Sequence, residues 1–259
     1  MSILSEIKGI LFDLDGVLFT GSKPIDGAVE AVSRIRANGM LCRFVTNTST
    51  LSLASLHHKI KTLGFSIPIN EIISAPQATL LYLRHQQNKV CRILLAEDIK
   101  KDFQEFSQSD ISPDYIVIGD IGKAWSYQLL NEVFNNLMDG AKLIAIHKNK
   151  FWQTEEGLQM DIGGFINGLE YASGTKSIIM GKPSKDFFQI AMNDMSLGAD
   201  NLAIIGDDID ADIDGGQEAG LTGILVKTGK YRESYVNASN IKPKLIINSI
   251  ADLPQVFGF

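Results

Sequence analysis

The sequence predicts a doubly wound α/β protein with a parallel sheet, and three observations predict it. Short apolar runs alternate with amphipathic segments along nearly the whole chain, the pattern of strand–helix–strand units. The apolar runs are almost continuous rather than alternating, as strands covered by helices on both faces require. The residues able to do chemistry stand where those runs end, and that is where open α/β sheets bind ligands.

In order, strands are expected at Gly9–Phe12, Leu41–Thr46, Arg92–Ala96, Tyr115–Ile118, Lys142–Ile146, Ser177–Met180, Leu202–Ile205, Thr222–Val226 and Leu245–Ile247. Between them, Ala28, Val29, Val32 and Ile35 fall at helical spacing, as do Leu129, Leu130, Val133, Phe134 and Leu137. Gly39, Gly64, Gly140 and Gly198 stand just past such segments, where helices end in left-handed backbone. No repeat, low-complexity tract or long linker marks a domain boundary.

Composition narrows the function. The chain has 259 residues, 45% hydrophobic and 21% charged, which suits an ordinary globular protein with one full core and a second, smaller one. Its apolar runs stop at about five residues, against roughly 20 for a membrane span. The N-terminal stretch reaches Asp13 and Asp15 before a secretory signal could finish. A net charge of −6 argues against a nucleic-acid or anionic-membrane surface. Cys42 and Cys91, the only cysteines, sit in apolar strand-like stretches and read as buried free thiols in a reducing compartment. The expectation is a cytoplasmic protein with neither membrane nor nucleic-acid partner.

Four stretches carry chemistry. In Phe12-Asp13-Leu14-Asp15-Gly16-Val17 a strand runs into two carboxylates, which share one side if the extended backbone persists. Close carboxylates repel, and such a pair suits a nucleophile beside an acid/base. A surface turn built from Asp and Gly reads as well in isolation. Phe44-Val45-Thr46-Asn47-Thr48-Ser49-Thr50 ends a strand in hydroxyls and an amide, either a helix N-cap or a phosphate site. Ile179-Met180-Gly181-Lys182-Pro183-Ser184 puts a lysine directly behind an apolar strand, where lysines are rare, with Ser184 set to cap a helix.

The fourth stretch runs from Leu202–Gly206 into Asp207, Asp208, Asp210, Asp212 and Asp214. Carboxylates this dense need solvent, hydrogen bonds or a cation, and oxygen donors suit Mg²⁺ or Ca²⁺. Asp210, Asp212, Asp214 and Gly215 match the opening of a helix–loop–helix calcium site. Leu221, however, stands where its closing Glu belongs, and a strand precedes the loop. Phosphate loops of the GxxxxGK[ST] type, GxGxxG, GxSxG and HExxH are missing. His57 and His58 lie on an amphipathic segment without metal-ligand company and read as structural.

Together and in this order, the four stretches resemble the haloacid dehalogenase superfamily of phosphotransferases. That family's pattern is DxDG[VT], then Thr or Ser, then Lys, then GD with a downstream Asp. Gly181-Lys182-Pro183-Ser184, Leu169-Glu170-Tyr171-Ala172 and Val226-Lys227-Thr228-Gly229-Lys230 are similar to stretches of its nagD-type phosphatases. The roughly 135 residues between Thr46 and Lys182 resemble their type-two cap insertion. The resemblance implies a Rossmann-like core of residues 1–78 and 177–259, with an α/β cap domain, 79–176, inserted into it.

It also implies Mg²⁺-dependent hydrolysis of a phosphate ester, phosphoamide or pyrophosphate. In that reading Asp13 is the nucleophile and Asp15 the acid/base. Thr46, Asn47 and Lys182 hold phosphoryl oxygens, and Mg²⁺ sits on Asp13, the Asp15 carbonyl and Asp207, with Asp208 and Asp212 behind. The implied partner is a small phosphorylated molecule or phosphorylated side chain, with a homodimer as a possible assembly. A phosphomutase using the same residues and a non-catalytic binding protein on this fold are the alternatives. A dehalogenase of this family lacks the second aspartate, so Asp15 argues against one.

Many nagD-type members have a Pro-Gly turn in the cap, where this chain has Leu158–Gly164. That leans away from nucleotide and sugar phosphates, toward pyrophosphate and phosphoamides. The stretches around Phe151-Trp152 and Met160-Asp161 are expected to be loops, with the aromatics filling the cap's core or folding over a ligand. Asp161 is expected to hydrogen-bond a cationic leaving group.

Overall fold

The structure, a computed structural model, describes residues 3–86, 89–154 and 157–259. In chain order the elements begin with β1 (Gly9–Asp13), the short pair β2 (Phe19–Thr20) and β3 (Lys23–Pro24), α1 (Ala28–Ala37), β4 (Leu41–Thr46) and α2 (Leu53–Thr62). Next come β5 (Ile72–Ser74), α3 (Ala75–Arg84), β6 (Cys91–Leu94), α4 (Glu97–Lys100), β7 (Tyr115–Ile118), α5 (Tyr127–Met138) and β8 (Lys142–Ala145). The hairpin β9 (Phe151–Thr154) and β10 (Gly157–Met160) precedes α6 (Gly163–Ser173), β11 (Ile178–Ile179) and α7 (Lys185–Met195). The chain closes with β12 (Leu202–Gly206), α8 (Gly215–Glu218), β13 (Thr222–Val226), α9 (Glu233–Ala238), β14 (Leu245–Ile247) and α10 (Leu253–Val256). The fold is α/β, with parallel sheets flanked by helices, and it divides into two compact units.

The first unit comprises the chain up to Thr46, His57–Ile73 and Lys182–Phe259. Its sheet has the order β14-β13-β12-β1-β4-β5. β1 pairs in parallel with β12, Phe12 opposite Ile205, and with β4, Asp13 opposite Val45. Ile10, Leu11 and Phe12 expose no surface, nor do Ala203, Ile204 and Ile205, which is why these strands read as unbroken apolar runs. Phe12 and Phe44 stack at 5.5 Å, one residue short of Asp13 along β1; truncating either to Ala costs about 3–5 kcal/mol. From β1 the chain moves outward to β4 and β5, and later returns to β12, β13 and β14 on the other side. The order therefore reverses at β1, the position where a crevice opens at the carboxyl ends of a doubly wound sheet.

The second unit comprises Asn47–Leu56 and Ser74–Gly181. Its sheet, β11-β8-β7-β6, is parallel, and β9 pairs with β10 as an antiparallel hairpin. Ile116, Ile118, Leu143 and Ala145 from the sheet pack against Val133 and Leu137 of α5 and Ile166 and Leu169 of α6. Residues 47–56 join this unit because Asp98 and Asp102 accept the backbone N–H groups of Ser52 and Leu53, at 2.9 and 3.1 Å. Among the described residues no helix is long and apolar enough to cross a membrane. Cys42 and Cys91 are buried free thiols.

Four local expectations change. Ile178–Ile179, expected in the first sheet, pairs with β8 in the second, Ile178 opposite Ile144. Phe151–Thr154 and Gly157–Met160 pair as antiparallel strands rather than forming two loops, Phe151 opposite Met160. Phe151 is half-buried and Met160 exposed, while the Trp152 side chain lies outside the described residues. Gly198 keeps an ordinary φ of −73°, since Ser196, at φ 53°, already ends α7 in the left-handed region. Ser184 stands at the start of α7, yet its side chain makes no capping hydrogen bond.

Candidate active site

The site grows from the end of β1. The extended backbone does not persist to Asp15: the Leu18 N–H reaches the Leu14 carbonyl at 2.8 Å and the Gly16 N–H the Phe19 carbonyl at 2.7 Å. This turn parts the two carboxylates, leaving Asp13 buried and Asp15 exposed. Although exposed by area, Asp15 has enough protein around it that desolvation lifts its carboxyl above the usual range, against the pull of Lys59 and Lys230. Thr46 ends the neighbouring β4, one residue past the partner of Asp13, and is buried.

Lys182, the first residue of the chain's return to this unit, reaches the same place. Its ammonium donates to Asp13 Oδ1 and to Asp212 Oδ1, both at 2.6 Å. Burial alone would lower the lysine's pKa, but the two carboxylates override it and raise it. Such a lysine stays charged.

Asp207 follows β12 directly, and the turn behind it, Ile209–Asp214, is wound as a π-helix. Asp208 fixes that turn: its Oδ1 accepts the N–H groups of Asp210 and Ala211, both at 3.0 Å, and its own N–H donates to Asp212 Oδ2 at 3.1 Å. The i→i+4 geometry thus swings Asp212 back beneath Asp207 while Asp210 and Asp214 stay less buried. Of the five acidic positions, Asp207 and Asp212 are therefore buried, while Asp208, Asp210 and Asp214 are partly exposed.

Carboxylate oxygens of Asp13, Asp207 and Asp212 lie within 4.8 Å of one another. Burial first, then Asp13 and Asp212, push Asp207 well above the ordinary carboxylate range; burial likewise raises Asp212 despite its lysine. Lys182, Lys230 and Lys59 are too few to neutralise this group together with Asp208 and Asp15. An all-oxygen donor set carrying surplus negative charge fits a hard divalent cation, and Mg²⁺ meets that description.

Sequence reasoning brings Asp13, Asp207, Asp208, Asp212 and Lys182 to one cluster, with Asp15 and Thr46 attached through their strands. It missed Lys230, whose ammonium sits 3.1 Å from Asp208 Oδ2, and Lys59, which acts on Asp15 and lies 4.4 Å over the Phe19 ring. Nothing in a lone lysine's sequence context marks either; only the tertiary approach does.

Asn47 and Asp161 belong to the second unit. Asn47 donates to Asn149 Oδ1 at 3.3 Å. Asp161 is buried, its Oδ1 accepting the Ile162 N–H at 2.7 Å and its Oδ2 lying 3.9 Å from His147 Nδ1. His147 Nε2 in turn is 3.2 Å from Ser49 Oγ. The Asn149 N–H donates to His147 Nδ1 at 3.4 Å.

A model described as haloacid dehalogenase-like hydrolase matches residues 10–107, and one described as HAD-hydrolase-like matches 179–253. The chain is 38% identical over 250 residues to haloacid dehalogenase-like hydrolase domain-containing protein 2 of Mus musculus, covering 96% of this chain and 95% of that protein. It is 33% identical over 255 residues to the phospholysine phosphohistidine inorganic pyrophosphate phosphatase of Homo sapiens, covering 96% and 93%. Among solved structures, a p-nitrophenyl phosphatase from Archaeoglobus fulgidus superposes with a TM-score of 0.89 at 25% identity, over 96% of this chain and 98% of that one. A glycerol phosphate phosphatase from Mycobacterium tuberculosis, in complex with magnesium, gives 0.83 at 26%, over 98% and 78%. NagD from Escherichia coli gives 0.83 at 26%, over 95% and 98%. Sequence, fold and the converging aspartates agree: the chain is a hydrolase that belongs to the haloacid dehalogenase-like hydrolase family.

Proposed function

We propose that this hydrolase is a Mg²⁺-dependent phosphatase that works through a phosphorylated Asp13. One observation carries the reading: a buried carboxylate, Asp13, is held by the ammonium of Lys182 at 2.6 Å and faces two further carboxylates. A contact so buried limits the motion of Asp13 and holds one of its oxygens in place, as a nucleophile needs. Three of the similar proteins, the pyrophosphate phosphatase, the p-nitrophenyl phosphatase and the glycerol phosphate phosphatase, are named as phosphatases, which supports the same bond type here.

In the first half-reaction an Asp13 oxygen forms a bond to phosphorus as the bond from phosphorus to the leaving group breaks. Asp15, exposed one turn away, gives the departing oxygen or nitrogen its proton. In the second half Asp15 takes a proton from water, whose oxygen attacks phosphorus and releases Asp13. Lys182 holds the attacking carboxylate and offers positive charge to the transferring phosphoryl group, and the Thr46 hydroxyl donates to one of its oxygens. Asp13, Asp207 and the carbonyl of Asp15 would hold Mg²⁺, which supplies the positive charge that lets an anionic phosphate approach this acidic cluster. Asp208 and Asp212 fix the turn and the lysine.

For the substrate, a small phosphorylated molecule or side chain fits best. Pyrophosphate and phosphoamides stand first, from the relative named for them and from the chain's own Leu158–Gly164 stretch. A screen of phosphate release with pyrophosphate, phosphoimidazole, sugar phosphates and 4-nitrophenyl phosphate tests this. Asp13→Asn keeps the shape and removes the attacking charge, so turnover should fall more than about 10³-fold, roughly 4 kcal/mol in barrier, with the melting curve intact. A variant keeping a tenth of the activity, or full activity in excess chelator, overturns the reading. Transfer back to substrate without free phosphate would mark a mutase instead.

A further inference from the structure

One loop outside the four motifs reaches the middle of the acidic cluster. After β13 the chain reads Lys227-Thr228-Gly229-Lys230. The Thr228 hydroxyl donates to the Gly16 carbonyl at 2.5 Å, the Lys230 backbone N–H donates to Asp207 Oδ2 at 2.6 Å, and the Lys230 ammonium meets Asp208 Oδ2 at 3.1 Å. Gly16 and Gly229 press in from either side. Both have left-handed φ, +86° and +59°, and a Cβ on either would come to 1.9 Å from Asp207 Oδ2. That oxygen therefore lies in a slot between two glycines, closed by an amide.

A carboxylate so gripped cannot turn about its terminal torsion. Which of its oxygens faces Asp13 and Asp212 is then decided by the loop, not by Asp207. The same lysine pins Asp208, whose other oxygen starts the turn that carries Asp212. We propose that Gly229 and Lys230 are positioning residues that set the aim of Asp207 and, through Asp208, of Asp212, so that a divalent cation finds its carboxylates already arranged. This rests on the reading that Asp13 and Asp207 hold Mg²⁺.

The sign of one substitution separates positioning from charge. Lys230 is a cation beside a cation site, so if it acted by charge alone its removal would tighten Mg²⁺ binding. If it positions the carboxylates, removal loosens it. Mg²⁺ affinity of the full chain, without substrate, is read by calorimetry and by the metal-dependent rise in melting temperature. Lys230→Met should weaken Mg²⁺ at least about threefold and Lys230→Arg should restore it. Gly229→Ala, whose Cβ invades the slot, should weaken it about tenfold or more. Gly39→Ala is the control, since Gly39 has φ +81° with open space around it; it should leave affinity unchanged. At saturating Mg²⁺ the kcat of Lys230→Arg should return to within about threefold of the original chain. If Gly229→Ala does not fold, the two Lys230 variants decide alone. Equal or tighter Mg²⁺ binding in Lys230→Met overturns this proposal and leaves the metal reading standing. An original chain that binds no Mg²⁺ overturns both.

Discussion

The two compact units bury charge in opposite ways. In the second unit Arg92 and Glu170 each have partners of their own. Arg92 gives Nη2 to Glu132 at 2.6 Å and Nη1 to Asn136 at 2.8 Å. Glu170 takes Lys148 at 2.7 Å on one oxygen and the N–H and hydroxyl of Ser177 on the other, at 2.9 and 2.6 Å. The first unit instead gathers Asp13, Asp207, Asp208 and Asp212 around two lysines. Balanced pairs hold a fold together, whereas a surplus of one sign is costly to fold and is kept for what it binds. The difference separates scaffold from site without reference to any motif.

The largest test removes the counter-charge. Lys182→Met leaves Asp13 and Asp212 facing each other unpaired, and in chelator it should cost about 3–5 kcal/mol of unfolding free energy in urea. Added Mg²⁺ should recover part of that loss, because a ligand of the folded state stabilises it by mass action. A loss below about 1 kcal/mol would mean that the cluster is already relieved by solvent.

Glu170→Gln should cost less, about 1–2 kcal/mol after allowance for solvent around Lys148, and Mg²⁺ should not restore it. Replacing Lys148 and Glu170 together by Met should cost no more than Glu170→Gln, what remains being the Ser177 N–H and hydroxyl left without their acceptor. The pH dependence follows. Burial works against the ionised Glu170, but Lys148 and Ser177 outweigh it and bring the carboxyl down to about 2 from 4.5. Its contribution is present above pH 4.5 and disappears as pH falls toward 2. Urea midpoints of the original chain and of Glu170→Gln should therefore converge as pH falls from 4.5 to about 2, and a constant gap would remove Glu170 as the cause.

The smallest effect has the opposite sign. Asp207 is pushed up by burial and by Asp13 and Asp212, so Asp207→Asn should raise the metal-free melting temperature, by about 1 kcal/mol, roughly 2–4 °C for a chain of this size. Activity should vanish at the same time. A destabilised Asp207→Asn would place Asp207 with the balanced pairs and erase the contrast.

Much of the first unit was legible because burial on both faces writes continuous apolar runs: β1 ends at Asp13 and β4 at Thr46, β12 runs directly into Asp207, and β13 leads into the loop of Gly229 and Lys230. β5 was missed, since three residues, Ile72–Ser74, are too short to stand out from the end of a helix. Lys182 was legible and the sheet of its preceding strand was not, because Ile178–Ile179 is apolar enough for either sheet and only pairing with β8 decides. The hairpin at 151–160 was hidden by glycine and aromatic residues that suit a loop equally well. Lys230 and Gly229 could be seen only as part of a family-like stretch; their use depends on a chain reversal that brings residue 16 against residue 229.

The pairing of Lys182 with Asp13 spans 169 positions of chain, and that has a consequence for how the molecule comes together. The second unit is one nearly unbroken stretch, whereas the first is assembled from three pieces, the last beginning at Lys182. A nascent chain can close the second sheet while Asp13 is still an uncompensated carboxylate at the edge of an unfinished one. Contacts this distant come late, after the intervening loop has been shortened by folding of what lies within it. The acidic centre therefore forms late, since a ribosome must deliver Asp207, Asp212 and finally Lys230 before it exists at all.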